Sequence, residues 1–162
     1  MAEETSVGNA CKKNKPKETL EIENLADIMD GFKMVLVVRN DLKMDKGKIA
    51  AQCGICYNHW HCEVSCCIHT TLGLYKKLLC PAPKALDRWE TSAQPKVVVK
   101  IESEEDMLVL QERAKSFKLP THITIDAGRT QIAPNSRTVM AILGKIPVLM
   151  LDIWIFLHVL VL

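Results

Sequence analysis

Residues 33–39 form a short apolar run, KMVLVVR, that is rich in β-branched side chains. Such a run is typical of a strand covered on both faces, and this requires helices on both sides of a sheet. Similar runs recur later, and we expect the first of these, residues 95–101, to be a second buried strand. The predicted strands are residues 33–39, 95–101, 122–125 and 138–143, and the predicted helices are residues 48–53, 71–79 and 103–117. This order predicts an α/β fold with a mixed four-stranded sheet flanked by helices, in a single domain.

The best-marked helix follows the second strand. Ser103 is the expected N-cap, because a hydroxyl can accept a hydrogen bond from the first turn and three acidic residues follow it. An apolar stripe at helical spacing comes next, at Met107, Leu110, Ala114 and Phe117. The preceding helix, residues 71–79, is predicted to end before Pro81 and Pro83, since proline cannot continue a helix.

Composition excludes a mostly disordered chain, because 48% of the 162 residues are hydrophobic and 25% are charged. The formal net charge of +2 does not require a nucleic-acid partner, so any such contact must come from local basic clusters. Residues 1–31 are polar and are predicted to be a disordered tail, with a short amphipathic helix in their acidic half as the alternative. Because this stretch lacks a secretory signal, we expect a cytoplasmic location, with the mitochondrion as the alternative.

Two polar segments follow predicted strands and carry the candidate chemistry. Residues 39–48 lead from the first strand into the first helix, and residues 126–131 follow the third strand. Ligands in open α/β sheets bind at the carboxyl ends of strands and at helix N-termini, so Lys48 and Asp126 can meet in one cleft if these strands are neighbours. The alternative is a solvated first-turn lysine and a turn-forming aspartate before Gly128.

Four sequence motifs resemble those of the archaeal and eukaryotic (type 2) peptidyl-tRNA hydrolase family. They are residues 32–53, 94–100, 126–134 and 136–144, in the order of the family. The resemblance extends over residues 32–53 and 69–144 and places the domain at 32–144. It implies an enzyme that hydrolyses the ester between a peptide and the terminal ribose of tRNA, without a metal or another cofactor. The implied partner is peptidyl-tRNA, with no DNA and no membrane association, and a homodimer is left open.

The resemblance also implies the catalytic residues, because Lys48, Asp126 and Thr130 fall at the catalytic polar positions of the family. Ester hydrolysis needs a positioned water, a base and a group that stabilises the oxyanion. Asp126 could orient or deprotonate the water, and Thr130 could bond the water or the carbonyl. Lys48 could stabilise the developing negative charge, or it could hold a phosphate or ribose.

Contacts with tRNA are expected from polar residues around these three, because Lys and Arg bind phosphates independently of sequence. The predicted substrate-binding residues are Lys43, Lys46, Arg129, Gln131, Thr138 and His69. Arg39 and Arg137 belong to the same basic group. An ordinary solvated basic surface is the alternative.

A block at residues 54–67 departs from the family pattern. Without these fourteen residues the sequence would continue the first helix as it runs in the family, so the block must bulge out of that helix or break it. The block and its flanks hold eight side chains of the types that bind zinc, at Cys53, Cys56, His59, His61, Cys62, Cys66, Cys67 and His69. Their spacing fits no known zinc pattern, so we predict no metal site and interpret the block as a loop produced by alternative splicing or a gene-model error. A zinc-dependent interaction module and buried thiols are the alternatives.

The C-terminal segment, residues 145–162, also departs from the family, which has an amphipathic helix there. Its apolar run is short for a membrane span, and we interpret it as a translated intron or a frameshift, with a tail anchor as the alternative. Because both departures affect helices of the family, the alternative function is a catalytically impaired isoform with a binding or regulatory role.

Overall fold

The computed structural model describes residues 20–28, 31–54 and 70–145, which form one four-stranded sheet and five helices. The elements in chain order are α1 Glu21–Ile28, β1 Phe32–Arg39, α2 Lys46–Cys53, α3 Thr70–Leu78, α4 Pro83–Thr91, β2 Lys96–Ile101, α5 Glu104–Ser116, β3 Thr121–Ile125 and β4 Arg137–Lys145. The strand order is β2-β1-β4-β3, with β2 parallel to β1 and with β4 antiparallel to both β1 and β3. The predicted α/β fold with a mixed four-stranded sheet is confirmed.

β1 lies inside the sheet, and all of its residues except Lys33 are buried. Successive side chains of a strand point to opposite faces. Met34 and Leu36 pack in a cluster with α1, α3 and α4, whereas Val35 and Val37 pack in a second cluster with α5. The prediction that residues 33–39 form a strand covered on both faces is therefore confirmed.

β2 differs from the predicted buried strand, because it lies at an edge of the sheet and Val98 in its middle is 54% exposed. An apolar run does not by itself distinguish a central strand from an edge strand. Pro95, directly before β2, suits an edge strand, since proline cannot donate to a neighbouring strand.

α5 begins as predicted, with the Ser103 hydroxyl accepting a hydrogen bond from the backbone N–H of Asp106 at 3.1 Å. Met107, Leu110 and Ala114 are buried, as their spacing indicates. The fourth member of the predicted stripe, Phe117, is the C-cap residue and is 48% exposed, so the stripe ends one turn earlier than expected.

α4 was not predicted, because Pro81 and Pro83 indicated only the end of the helix before it. Pro83 instead occupies the first turn of α4, where its missing N–H costs no helical hydrogen bond. Trp89 on α4 is fully buried, and its indole N–H donates to the carbonyl of Pro95 at 3.1 Å. α4 therefore covers part of the sheet beside β2.

The predicted disordered tail is wrong for Glu21–Ile28, which form α1, the amphipathic helix that was the alternative. Ile22 and Ala26 are each 1% exposed and pack in the main core cluster. The carboxylate of Glu23 accepts hydrogen bonds from the backbone N–H groups of Lys84 and Ala85, at 3.0 and 3.2 Å. Glu23 therefore caps α4, whose first N–H groups have no partner within the helix.

Replacing Glu23 with Ala is expected to lower the free energy of unfolding by about 1–2 kcal/mol, because it removes the cap of α4. Urea denaturation followed by circular dichroism measures the change. Glu21→Ala is the matched control on the same helix, because within the described residues the Glu21 side chain forms an exposed ion pair with Lys118. Such pairs contribute about 0.2–1 kcal/mol. Equal losses for the two variants would contradict the capping role of Glu23.

The predicted helix at residues 48–53 is confirmed as α2, and the helix at 71–79 as α3. The rest of the 54–67 block beyond Gly54 lies outside the described residues, as does the apolar C-terminal segment beyond Lys145. Among the helices that the structure describes, none is long and apolar enough to span a bilayer.

Candidate active site

The candidate site lies at the carboxyl edge of the sheet, which is the side on which the strands β1, β2 and β3 end. These three strands run parallel to one another, and the antiparallel strand β4 begins on the same side. Asp126 directly follows β3, Thr138 is the second residue of β4, and Lys48 lies in the first turn of α2. β1 and β3 are not neighbours, because β4 lies between them, so the condition under which Lys48 and Asp126 were expected to meet is not fulfilled. Lys48 and Asp126 nevertheless meet, since α2 packs against β4.

Lys48 and Asp126 form a largely buried ion pair, with 14% and 5% of their side chains exposed. The ammonium group of Lys48 donates to Oδ2 of Asp126 and, at 2.6 Å, to the hydroxyl of Thr130. Oδ2 of Asp126 also accepts from Nε2 of Gln52 at 2.8 Å, and Oδ1 accepts from the backbone N–H of Gly128 at 2.8 Å. The structure thus brings the three predicted catalytic residues into one hydrogen-bonded group.

The carboxyl group of Asp126 has a pKa below its ordinary value of 3.8. Burial would raise this pKa, but it is outweighed by hydrogen bonds from Lys48, Gly128 and Gln52 and by the charge of Lys48. Asp126 is therefore a carboxylate at neutral pH. Because the folded-state pKa is the lower one, the group contributes stability above the unfolded pKa, and this contribution is lost as the pH falls through the folded pKa.

The loop after β3 holds Asp126 in a fixed orientation. The backbone N–H of Asp126 donates to the backbone carbonyl of Ser136 at 2.8 Å, and the backbone carbonyl of Asp126 accepts from the backbone N–H of Asn135 at 2.8 Å. Gly128 has a φ of +73°, and a Cβ atom there would lie 2.7 Å from the Cβ of Pro134. Only glycine fits this position without a shift of the loop.

Gln52 is a site residue that was not predicted from the sequence. Its side-chain amide donates to Asp126, and its carbonyl oxygen Oε1 lies 3.3 Å from the hydroxyl of Thr138. Gln52 follows Lys48 by four positions in α2, and residues four apart share one face of a helix. That spacing is the signal that could have identified it.

Thr138 lies beneath the site and is fully buried, with its hydroxyl bonded to Gln52 and to the backbone carbonyl of Thr124. Because Thr138 is buried, its hydroxyl is better placed to hold the Gln52 side chain than to make the predicted contact with substrate. A buried position could not be recognised from the motif alone, because β4 is covered in the sheet by β1, which is distant from it in the sequence.

The other predicted substrate-binding residues are exposed where the structure describes them; they are Lys43, Lys46, Arg129 and Gln131. The Gln131 side chain donates to the carboxylate of Asp45 and accepts from the Asp45 backbone N–H at 3.3 Å. These bonds tie the loop after β3 to the start of α2. His69 lies outside the described residues.

Arg39 and Arg137 belong to an ion-pair network instead of an exposed basic surface. Arg39 is 8% exposed and donates to Asp41 at 2.5 and 3.0 Å, to Glu104 at 2.5 Å and to the carbonyl of Arg137 at 2.9 Å. Arg137 also donates to Glu104. The hydrogen bond with Asp41 raises the pKa of Arg39 and lowers that of Asp41. Both arginine charges are thus paired with carboxylates, and they join the ends of β1, α5 and β4.

No group of three or more His, Cys, Asp or Glu side chains is arranged to hold a metal ion within residues 20–28, 31–54 and 70–145. Most of the Cys- and His-rich block lies outside these ranges, so the expectation that it binds no zinc stays a prediction. Cys53, which is described, is a buried free thiol, and burial raises its pKa to about 11.

The fold and site define an α/β protein with a lysine–carboxylate site at the carboxyl edge of its sheet. Comparison with known protein families places the chain among proteins of one family. The sequence model of the family described as Peptidyl-tRNA hydrolase PTH2 matches residues 32–63 and 62–148. The chain belongs to this type 2 peptidyl-tRNA hydrolase family.

Three relatives illustrate the similarity. The human protein named "Peptidyl-tRNA hydrolase 2, mitochondrial" is 41% identical over 138 residues, which cover 83% of this chain and 69% of the human protein. A probable peptidyl-tRNA hydrolase 2 of Drosophila melanogaster is 44% identical over 113 residues, covering 70% and 53% of the two chains. A peptidyl-tRNA hydrolase of Methanocaldococcus jannaschii is 38% identical over 111 residues, covering 68% and 84%. The chain thus spans about half the length of the Drosophila relative and most of the archaeal one.

Proposed function

We propose that the chain hydrolyses the ester bond between the peptide and the terminal ribose of peptidyl-tRNA, and that Lys48, Asp126 and Thr130 carry the reaction. Family membership supports the class of reaction. The observation that carries the site is the hydrogen-bonded contact of Lys48 with both Asp126 and Thr130. In the reaction a water oxygen bonds to the ester carbonyl carbon, and the bond from that carbon to the ribose oxygen breaks. The ribose oxygen gains a proton, so the products are the peptide, as its carboxylate, and tRNA.

Asp126 is assigned to the attacking water. Its lowered pKa makes it a weak base toward a free water molecule, so its first task is to accept a hydrogen bond and orient that water. The water becomes strongly acidic as its bond to carbon forms, and the carboxylate then accepts its proton. Orientation of this kind depends on the loop and on Gln52, which fix the carboxylate.

Lys48 and Thr130 are assigned to the carbonyl oxygen. The ammonium group of Lys48 would stabilise the negative charge that develops on this oxygen, in a setting where Lys48 is only 14% exposed. The Thr130 hydroxyl accepts from Lys48, which leaves its own hydrogen for the carbonyl or the ribose oxygen. The break between α2 and α3 leaves Lys48 and Gln52 in contact with Asp126, so the geometry lends no support to a catalytically impaired isoform.

Phosphate contacts with tRNA are assigned to Lys43, Lys46 and Arg129, which are exposed near the site. Replacing each by Gln is expected to flatten the slope of log K against log[salt] by about 0.7–0.9 per charge, because each contact releases about one counterion. Filter binding of tRNA at several salt concentrations measures the slope. Lys115→Gln is the matched control, since this exposed residue lies in the last turn of α5, which leads to the opposite edge of the sheet. Affinity independent of salt would contradict the assignment.

The direct test of the proposed function is a turnover assay with N-acetyl-aminoacyl-tRNA, in which the full chain runs beside a variant that lacks residues 54–67. We expect repeated turnover by both chains. Turnover by the shortened chain alone would favour the catalytically impaired isoform over the proposed activity, and no turnover by either would reject the proposed function.

The human, bovine and mouse relatives have names that place them in the mitochondrion. These names favour the mitochondrial alternative for this chain over the cytoplasmic location expected from the sequence. Fractionation of cells that express the untagged full chain distinguishes the two: sedimentation with mitochondria supports the first, and recovery in the cytosol supports the second.

A further inference from the structure

The helix that carries Lys48 and Gln52 is interrupted just after them, because α2 ends at Cys53 and α3 begins at Thr70. Two hydroxyls at the start of α3 reach back across this break. Thr70 Oγ1 donates to the backbone carbonyl of Gln52, and Thr71 Oγ1 donates to that of Cys53, both at 2.9 Å. The last carbonyls of a helix have no partner within it, so this threonine pair satisfies two of them.

The spacing of these two bonds is that of an uninterrupted helix. Each donor follows its acceptor by eighteen positions, and without the fourteen residues 54–67 the separation would be four. A threonine hydroxyl within a helix commonly bonds the carbonyl four residues before it. Thr91 makes this bond in the continuous helix α4, to the carbonyl of Asp87 at 2.8 Å. The threonine pair therefore keeps α2 and α3 in the register of one helix.

Thr70 also connects α2 to the strand that precedes Asp126. Thr70 is fully buried, and its Oγ1 lies 2.7 Å from Oγ1 of Thr124. Because the hydroxyl hydrogen of Thr70 is donated to Gln52, Thr124 is the donor in this second bond. Thr124 lies two residues before Asp126 on β3, while the side chain of Gln52 bonds the Asp126 carboxylate at 2.8 Å. Thr70 thus holds the backbone on both sides of that contact.

We propose that Thr70 is a positioning residue for the active site: its hydroxyl holds the backbone of Gln52 across the break between α2 and α3, and Gln52 in turn orients the carboxylate of Asp126. Thr71 holds Cys53 in the same way but has no described bond to the strand of Asp126. The kinetic consequence rests on the proposed function, whereas the effect on the Asp126 carboxylate does not.

Thr70→Val removes the hydroxyl with little change of shape and is expected to lower kcat about tenfold or more with little change in KM, because misplacement of a reacting group by about 1 Å can cost ~100-fold. It is also expected to raise the pKa of Asp126, measured by carbon-13 NMR of the carboxyl group, since the hydrogen bond from Gln52 favours the charged form. Unchanged kcat and unchanged Asp126 pKa would overturn the proposal.

Two further substitutions distinguish the effect of the Thr70 hydroxyl group from the effect of side-chain packing. Thr70→Ser keeps the hydroxyl and should retain the wild-type Asp126 pKa and most of kcat. Thr91→Val is the matched control, because it removes the same kind of hydrogen bond from an exposed site on α4 and should change neither. If Thr70→Ser is as impaired as Thr70→Val, the residue acts through packing and the proposal is wrong.

The decisive comparison places Thr70→Val in a chain that lacks residues 54–67. There the backbone hydrogen bonds of a continuous helix would hold Gln52, so the substitution should affect kcat and the Asp126 pKa much less than in the full chain. An equal effect in both chains, or a shortened chain that does not fold, would contradict a register preserved by the threonine pair. If the wild-type chain does not hydrolyse peptidyl-tRNA, the proposed function fails, and the Asp126 pKa still decides the role of Thr70.

Discussion

Replacing Asp126 with Asn is expected to lower kcat/KM for peptidyl-tRNA by about 100-fold or more, since a positioned base contributes roughly 10²–10⁴ to such reactions. Asparagine has nearly the same size and can still accept the hydrogen bond from the Gly128 N–H. It lacks the charge that pairs with Lys48 and the capacity to take a proton from water. Single-turnover release of tRNA measures the loss, and circular dichroism verifies that the variant is folded.

Glu102→Gln is the matched control for this substitution. Glu102 is an exposed carboxylate at the same edge of the sheet, just after β2, where it accepts hydrogen bonds from Asn40. Its neutralisation should leave kcat/KM essentially unchanged. An Asp126→Asn enzyme with wild-type turnover would reject the role of the carboxylate, and equal losses in both variants would indicate a general effect of charge at this edge.

Replacing Lys48 with Met is expected to lower kcat by roughly 10²–10³, the usual consequence of removing one group that stabilises the oxyanion. Methionine approximates the apolar part of the lysine side chain without its ammonium group. Lys115→Met, at the exposed end of α5, is the control and should retain wild-type kcat. A Lys48→Met enzyme with normal kcat would contradict this assignment.

The pH dependence of kcat/KM is a second measurement that tests the role of Lys48 with the Lys48→Met variant. In the wild-type chain activity should be lost only as the pH falls through the lowered pKa of Asp126. Lys48 lowers that pKa both by its hydrogen bond and by its charge. Without Lys48 the pKa rises, so the loss of activity should begin at a higher pH. An acid limb that does not move would show that it belongs to another group.

The positions of Lys48 and Asp126 could be predicted from the local sequence, because Lys48 lies in the first turn of a helix and Asp126 directly follows a strand. The strand order could not, because short apolar runs do not specify their neighbours. β2 was therefore expected to be buried, and the meeting of Lys48 with Asp126 was made conditional on the adjacency of β1 and β3, which the strand order does not have. Gln52 was within reach of prediction from its spacing to Lys48, whereas the buried position of Thr138 depends on its contacts across the sheet.

The same limit applies to α4, which was missed, and to α1, which was only the alternative to a disordered tail. Pro83 is compatible with the end of one helix or the start of another, and the burial of Trp89 is what distinguishes them. α1 has only eight residues, too few to be stable alone. It is held by tertiary contacts: Ile22 packs in the core, and Glu23 caps α4 from a distance of about sixty positions in the sequence. The local sequence indicated only that a short amphipathic helix was possible, whereas these long-range contacts determine that it forms.

The most direct test of the account is the rate of peptidyl-tRNA hydrolysis by the wild-type full chain and by the Lys48→Met/Asp126→Asn double variant, measured beside the two single variants. Groups that act as one unit have strongly non-additive effects. We predict rapid turnover by the wild type and a double variant about as slow as the slower single variant. No turnover by the wild type, or a double variant as active as the wild type, would contradict hydrolysis at this site.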